Sequence, residues 1–590
     1  MDRPVQSKTS RNGRGGLASE LANVVAGAVL WLIDLRRRRR DLAHLLESSL
    51  LILLGIALIT TAAITDNYLH RGVESGVEFP YVVQPSGREL ATNVDLRLFS
   101  EEDAVDVAAT LAGSGFSFAR QEFSWAEIEA QQGQYNWETY DTIVNSMSSE
   151  GVAVIAVVRD APAWAVPGDL VQSNRQPPSD PGLLGDFMQA LTARYGDDIP
   201  FVQVWDSPNL ASEWGGRPAT GEEFEPYLAA AFYGAREGNP EIRIITPELA
   251  ADPDVPEGLT DLEFLESLYE AGAENVFDIV GIRLDGGEAS PDDRLVSPER
   301  QNISRSILYR ELMVQQGDIE TPIWATTYGW AAGDEVSRDE QAEYVVRGLH
   351  RAWSEWPWMG LMINWAFATQ PGDPASAYAI APEGASTPLY RRLSDPDVVR
   401  RAGLANTGFA PMDADAIAYE GNWADQHLEG RTFRTTSQIG SSATFRFQGT
   451  GLIAFIRSGP QSGAFQIELD GEVVPGGYGD NESYWSFYYP YETNDLPRRL
   501  LSDLDDTEHT VRITLMEPGE LTLGGLVVER EPPFTWPVIL LTVSALGVLF
   551  IGVRSFIYLV AIRSGHVARR EDVADPSLPR MPDWRPDRRI

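Results

Sequence analysis

The chain has 590 residues, enough for two or three domains with full hydrophobic cores, and its 43% hydrophobic and 10% aromatic content excludes global disorder. It contains no cysteine, which excludes a disulfide framework, a thiolate metal site and a cysteine nucleophile. A formal net charge of -39 argues against a nucleic-acid partner, because phosphate binding needs a positive surface.

Residues 1–47 form a basic segment with nine Arg/Lys against five Asp/Glu. Within it, Leu17 to Leu35 has apolar residues at helical spacing, open to two readings: a helix along the inner membrane surface, or a short packed helix. Arg36 to Arg40 then precede an uncharged apolar run predicted to span a membrane over residues 48–65. By the positive-inside rule this end is cytoplasmic. The run starts late for a signal peptide and offers only Ala62-Ala63 as a small-residue cleavage site, so an uncleaved anchor is expected.

Between about Phe79 and Gly408, short β-rich runs alternate with helical stretches at the spacing of βα units. The predicted strands are Phe116 to Arg120, Val152 to Val158, Phe201 to Trp205, Ile242 to Thr246, Asp278 to Arg283, Ile323 to Thr326 and Leu361 to Trp365. A first strand lies somewhere before Glu101. Eight strands suit an α/β (β/α)8 TIM barrel over residues 75–408, with functional residues at the strand C-terminal ends.

Three runs carry a family resemblance. Arg120-Gln121-Glu122-Phe123-Ser124-Trp125 is followed by Ile128-Glu129, Gly133-Gln134-Tyr135-Asn136-Trp137 and Tyr140-Asp141. Asp160-Ala161-Pro162-Ala163-Trp164-Ala165 follows the third strand, and Trp205-Asp206-Ser207-Pro208-Asn209 ends the fourth. In order and spacing these resemble clan A of the glycoside hydrolases, the TIM-barrel superfamily of cellulases, β-xylosidases and β-galactosidases.

The resemblance implies an acid/base Glu at position 207 and a nucleophilic Glu at position 327, within Trp324-Ala325-Thr326-Thr327-Tyr328-Gly329-Trp330. The chain has Ser207 and Thr327 there. Retaining glycoside hydrolysis depends on two carboxyl groups about 5 to 5.5 Å apart, and an unassisted hydroxyl replaces neither. The sixth strand departs as well, ending Gly281-Ile282-Arg283-Leu284-Asp285 where the family has Gly-x-His-x-Tyr. Carboxylates near strand ends, Asp206, Glu248 and Asp285 above all, with Glu122 and Asp160, could form an unusual acid pair; salt-bridged or solvated roles are the alternative. Arg120, Trp205, Asn209, Tyr328 and Trp365 are the candidate sugar contacts of the barrel, with Trp365 resembling the family's aromatic floor under a sugar ring.

Residues 413–533 change to alternating strands with Gly and Asp turns, such as Ala443 to Gln448, Leu452 to Arg457, Phe465 to Leu469, His509 to Leu515 and Leu521 to Val528. They read as an all-β sandwich and resemble jelly-roll modules of the carbohydrate-binding type. The segment Tyr484 to Tyr491 packs six aromatics into eight residues; Trp485 and Tyr488 there are candidate glycan contacts, with packing on the barrel as the alternative. Gly449-Thr450-Gly451 is a turn and not a phosphate loop, since no helix or Lys follows. The six histidines, His44, His70, His350, His427, His509 and His566, lack ligand spacing, so neither metal nor cofactor is expected.

A second span is predicted over residues 534–553, introduced by Trp536 and followed by Arg554, Arg563, Arg569 and Arg570 in a cytoplasmic tail, 554–590. The basic flanks, 17 Arg/Lys against 10 Asp/Glu, leave -46 on the segment between them. The expectation is a two-pass cell-membrane protein with both termini cytoplasmic and its main domains extracytoplasmic. Three functions follow in order: a pseudo-glycosidase that binds oligo- or polysaccharide without cutting it, a glycosidase with displaced carboxylates, and a structural or sensory scaffold that binds no sugar.

Overall fold

The computed structural model describes residues 40–166, 175–250, 259–369, 372–381, 386–428, 431–479, 482–531 and 536–563. The chain divides into two units, Met1–His70 with Pro533–Ile590, and Arg71–Pro532. In the first, helices Arg40–His70 and Trp536–Arg563 carry apolar stretches of 26 residues (Leu45–His70) and 25 residues (Trp536–Val560). At about 1.5 Å per residue, each is long and apolar enough to cross a hydrocarbon core of about 30 Å. Gly55 lies so close to Val548 that any Cβ would collide, the near approach of two helices that a small residue permits. The arginines at 36–39, the stretch at 17–35 and the tail at 564–590 lie outside the described residues.

In the second unit, eight parallel strands form one sheet: β1 (Leu90–Asn93), β2 (Phe116–Ser124), β3 (Ala153–Arg159), β4 (Phe201–Val204), β5 (Arg243–Ile245), β6 (Val280–Asp285), β7 (Ile323–Gly329) and β8 (Met359–Asn364). Their order is β5-β4-β3-β2-β1-β8-β7-β6. The ring closes between β5 and β6 through the Ile245–Ile279 bridge and the Thr246 N–H donating to the Ile279 carbonyl at 3.0 Å. A helix follows every strand. Three of these helices start at capping boxes, Thr220 with Glu223, Thr260 with Glu263 and Ser337 with Glu340, which satisfy the free N–H groups of the first turn.

The two-residue period of the strands sets what lies inside. Ala91, Phe118, Ile155, Phe201, Trp324 and Ile363 pack together as an apolar floor. Two residues nearer the strand C-termini, the same faces carry Asn93, Arg120, Gln203 and Thr326. The interior therefore turns from apolar to polar one pleat below the mouth.

The rest of this unit is a sandwich of two antiparallel sheets. One runs β10 (Ile417–Glu420), β13 (Ser442–Gly449), β19 (Thr507–Leu515), β15 (Ala464–Leu469), β16 (Glu472–Val474), with β17 (Trp485–Ser486) also on β15. The other runs β11 (Ala424–Leu428), β12 (Arg431–Thr436), β20 (Leu521–Glu529), β14 (Gly451–Ser458), β18 (Thr493–Leu501), with β9 (Gly408–Ala410) also on β20. Phe445, Phe447, Phe465, Ile467, Leu452 and Leu526 fill the space between them. All nine residues of β20 are buried, because the outer face of its sheet is covered by Val77, Tyr81 and Phe409, packed on Ile453, Phe455 and Val527.

Candidate functional site

The polar layer converges on Glu248, which follows β5 and is completely buried. Its Oε1 accepts from Arg283 Nη2 at 2.6 Å and Nε at 3.2 Å, and its Oε2 accepts from Thr327 Oγ1 at 2.5 Å and Thr326 Oγ1 at 3.0 Å. Adjacent strand residues normally face opposite ways. Here the β6–β7 register jumps from Ile282↔Ala325 to Arg283↔Thr327, and this bulge turns both threonine hydroxyls onto one carboxylate.

On the neighbouring strand, Asp206 follows β4 and keeps 17% of its side chain exposed. Its Oδ1 accepts from Ser207 Oγ at 2.9 Å. Arg120 lies between the two acids, with Nη2 3.7 Å from Asp206 Oδ2 and 3.9 Å from Glu248 Oε2. Its other nitrogens donate to Gln203 Oε1 at 3.0 Å and Asn93 Oδ1 at 2.6 Å. Ser207 and Thr327 thus lie at the same end of the barrel, each bonded to a different carboxylate, and the two carboxylates share one guanidinium.

The environments push these acids apart. Burial would raise the Glu248 carboxyl, but Arg283 and Arg120, with hydrogen bonds from Thr327 and Arg283, bring it down to about 2. Burial, reinforced by the Glu248 anion, pushes Asp206 above the ordinary carboxylate range, against the pull of Arg120, Arg283 and Arg159. A depressed carboxylate stabilises the fold fully above its unfolded value, and that contribution fades as pH falls through the folded value. The stability advantage of the native chain over Glu248→Gln should therefore narrow between about pH 4.5 and pH 2, as acid unfolding followed by circular dichroism would read.

Above this layer, Arg159 sits 3.5 Å from Glu122, 3.6 Å from Asp160, and 3.8 Å from both Asp206 and Glu213. Asp285 accepts from Tyr378 Oη at 2.6 Å. Asp160, Trp205 and Ser207 adopt left-handed backbone, with φ of 65°, 66° and 46°, and such strain gathers where surrounding structure holds a site in place. The Ser207 N–H donates to the Glu248 carbonyl at 2.8 Å, tying the two loops together.

The other expected contacts divide by burial. Trp365 is half-buried at the end of β8. Arg120 is 5% exposed and belongs to the carboxylate layer. Trp205 is 2% exposed, its indole donating to the Glu213 carbonyl at 2.8 Å and meeting Trp214 edge-on. Asn209 is fully buried and exchanges hydrogen bonds with the Ala250 backbone. Tyr328 is fully buried and donates to the Val345 carbonyl at 2.7 Å. These last three hold the barrel wall together, because their polar groups are already satisfied away from the mouth. Trp485 is half-buried, donating to the Val474 carbonyl at 3.0 Å, whereas Tyr488 stands 54% exposed near Tyr489 and Tyr491.

Sequence reasoning missed Arg159, Gln203, Asn93 and Tyr378. The first three were within reach: each lies two or four residues beyond a floor residue, Ile155, Phe201 or Ala91. The run from Trp125 to Trp137 proves to be packing. Trp125 stacks on Phe187 at 5.3 Å, and Glu129 accepts from the Trp125 indole and the Gly133 N–H.

A beta-galactosidase family model matches residues 99–172, a segment that includes Arg120 and ends before Ser207 and Thr327. Among solved structures, a family 39 glycoside hydrolase from the gut symbiont Bacteroides cellulosilyticus WH2 is 16% identical, with 72% of this chain and 81% of that chain covered at a TM-score of 0.44. A glucosidase from Croceicoccus marinus is 12% identical, with 75% and 98% covered at 0.41. A GH10 protein from Paenibacillus barcinonensis is 16% identical, with 55% and 99% covered at 0.38. No curated protein matches the chain.

Proposed function

We propose that the chain is a two-pass membrane protein whose extracytoplasmic barrel and sandwich bind an oligo- or polysaccharide without hydrolysing it. One observation carries this reading. Hydroxyls stand at positions 207 and 327, and the carboxylate nearest position 327, Glu248, is fully buried with both oxygens engaged. An anion so enclosed cannot approach an anomeric carbon. Asp206 therefore does not find in Glu248 the partner that either hydrolytic route requires. The half-buried Trp365 at the end of β8 offers a stacking face of the kind sugar sites use.

A second reading has one observation in its favour. Asp206 and Glu248 have opposite shifts, the pattern that separates an acid from a base in a working site. It makes the pair a displaced acid and base.

The test is a glycan array probed with the full-length protein in detergent. Binding that weakens in Trp365→Ala places the sugar in the barrel mouth; binding lost only in Trp485→Ala or Tyr488→Ala assigns it to the sandwich. Binding to no glycan leaves the scaffold function and ends the proposal. Topology is tested separately. Protease added to intact cells should degrade the barrel and spare tags at both ends, and loss of the N-terminal tag would contradict the uncleaved anchor.

A further inference from the structure

The sandwich buries His509 near the start of β19. Alternation along this strand turns His509, Val511, Ile513 and Leu515 into the core, and the Phe447 ring of β13 lies 5.6 Å from the imidazole. Nδ1 of His509 stands 2.8 Å from Asp470 Oδ2 in the β15–β16 turn, and Nε2 stands 2.9 Å from the Asp505 carbonyl oxygen. The Thr507 hydroxyl is farther, 3.4 Å from Nε2. A carbonyl oxygen has no hydrogen to give, so Nε2 carries one. A second proton must then lie between Nδ1 and the Asp470 carboxyl group.

That second proton belongs to the imidazole. Burial raises the Asp470 carboxyl, but hydrogen bonds from His509 and the Thr510 N–H, with the charge of His509, hold it below the ordinary carboxylate range. The Thr510 N–H donates to Asp470 Oδ1 at 2.7 Å, and the carboxylate keeps 48% of its side chain exposed. A neutral ring offers one N–H and one lone pair, and here the lone pair would face an acceptor.

The loop that His509 holds, between β18 and β19, reaches the barrel by two routes. Asp506 accepts from Arg530 Nη2 at 2.6 Å and Nε at 2.8 Å, and the Arg530 N–H in turn donates to the Ser75 carbonyl of the segment leading into the barrel. Glu508 pairs with Arg400 on the barrel helix Pro396–Ala402. Beside His509, Phe447 is bridged to Ala405 of the chain that links barrel and sandwich. The acids of these surroundings are Asp470, Asp505, Asp506 and Glu508, the last two engaged by Arg530 and Arg400. We infer that the imidazolium of His509 locks this loop, and that the lock releases as pH rises through the neutral range and loosens the joint between sandwich and barrel. Histidine is the side chain that changes charge between about pH 5 and 8. A proton held in the closed form and given up in the open one stabilises the closed form fully at low pH, and that contribution fades as pH rises.

The test is hydrogen–deuterium exchange of the full-length protein in detergent, read by mass spectrometry at about pH 6 and pH 8 and corrected for the intrinsic exchange rate. Peptides covering 466–474 and 502–512 should lose protection about tenfold or more between the two, since each pH unit above the point of proton release costs up to a factor of ten. Barrel strands β2 and β3 should not change. Asp470→Asn gives a neutral ring an amide N–H to accept, so its protection should be the same at both pH values. His509→Gln has no titrating group and should be equally insensitive, an independent check should Asp470→Asn misfold. Equal protection of the native loop at both pH values, loss spread evenly over barrel and sandwich, or a pH dependence that survives in His509→Gln would each overturn the inference.

Discussion

Glu248→Gln is expected to destabilise the barrel by about 3 kcal/mol, the lower end of the 3 to 5 kcal/mol typical when one partner of a buried ion pair is removed. The lower end applies because Arg283 keeps 38% of its side chain exposed and solvent takes up part of its charge. Arg120, 5% exposed, has no such relief. The substitution would also leave the Thr326 and Thr327 hydroxyls facing an amide that cannot accept as a carboxylate does. Thermal or urea unfolding of the two proteins at neutral pH measures the difference, and a change below about 1 kcal/mol would show that Glu248 is not the keystone of the polar layer.

Placing glutamates at positions 207 and 327 should not by itself confer hydrolysis. Thr327→Glu would set a second carboxylate beside Glu248, both competing for Arg283, and like charges this close cannot both ionise without a large penalty. The Ser207→Glu, Thr327→Glu double variant is therefore expected to be unstable and inactive. Adding Glu248→Ala removes the competitor and frees Arg283 to hold the new anion. Only this triple variant should gain hydrolysis of aryl β-glycosides, with leaving-group protonation alone contributing about 10² to 10⁴ in rate. Activity in the double variant equal to the triple would show that Glu248 does not obstruct the site.

The barrel was legible because its strands are short apolar runs at regular spacing, and the floor residues Phe118, Ile155, Phe201 and Trp324 keep their period. β1 was not, since Leu90-Ala91-Thr92-Asn93 is too short to show any period. In the sandwich the central strands β13, β14, β15, β19 and β20 were readable from alternation. The edge strands β11 and β18 were not: Ala-Asp-Gln-His-Leu offers no alternation, and Pro497 within β18 signals a break, although an edge strand tolerates proline.

The site was legible as positions and not as partnerships. Ser207 and Thr327 could be named from their surroundings in the sequence. That both threonines turn onto Glu248 depends on a bulge that leaves no mark in Ala325-Thr326-Thr327. Asn209 and Tyr328 were expected as sugar contacts from the resemblance, and each finds a backbone partner in the wall. Pairing of this kind is set by the loop following β5 and the helix following β7, 41 and 17 residues away in the sequence.

The measurement that bears most directly on binding without catalysis is turnover of whichever glycan the full-length protein retains, with protein and glycan at comparable concentration and release of new reducing ends followed over hours. The account predicts no release above that of buffer, in the native chain and in Asp206→Asn alike. Release abolished by Asp206→Asn and by Glu248→Gln, with both variants still folded, would contradict it and establish the displaced pair as a working acid and base.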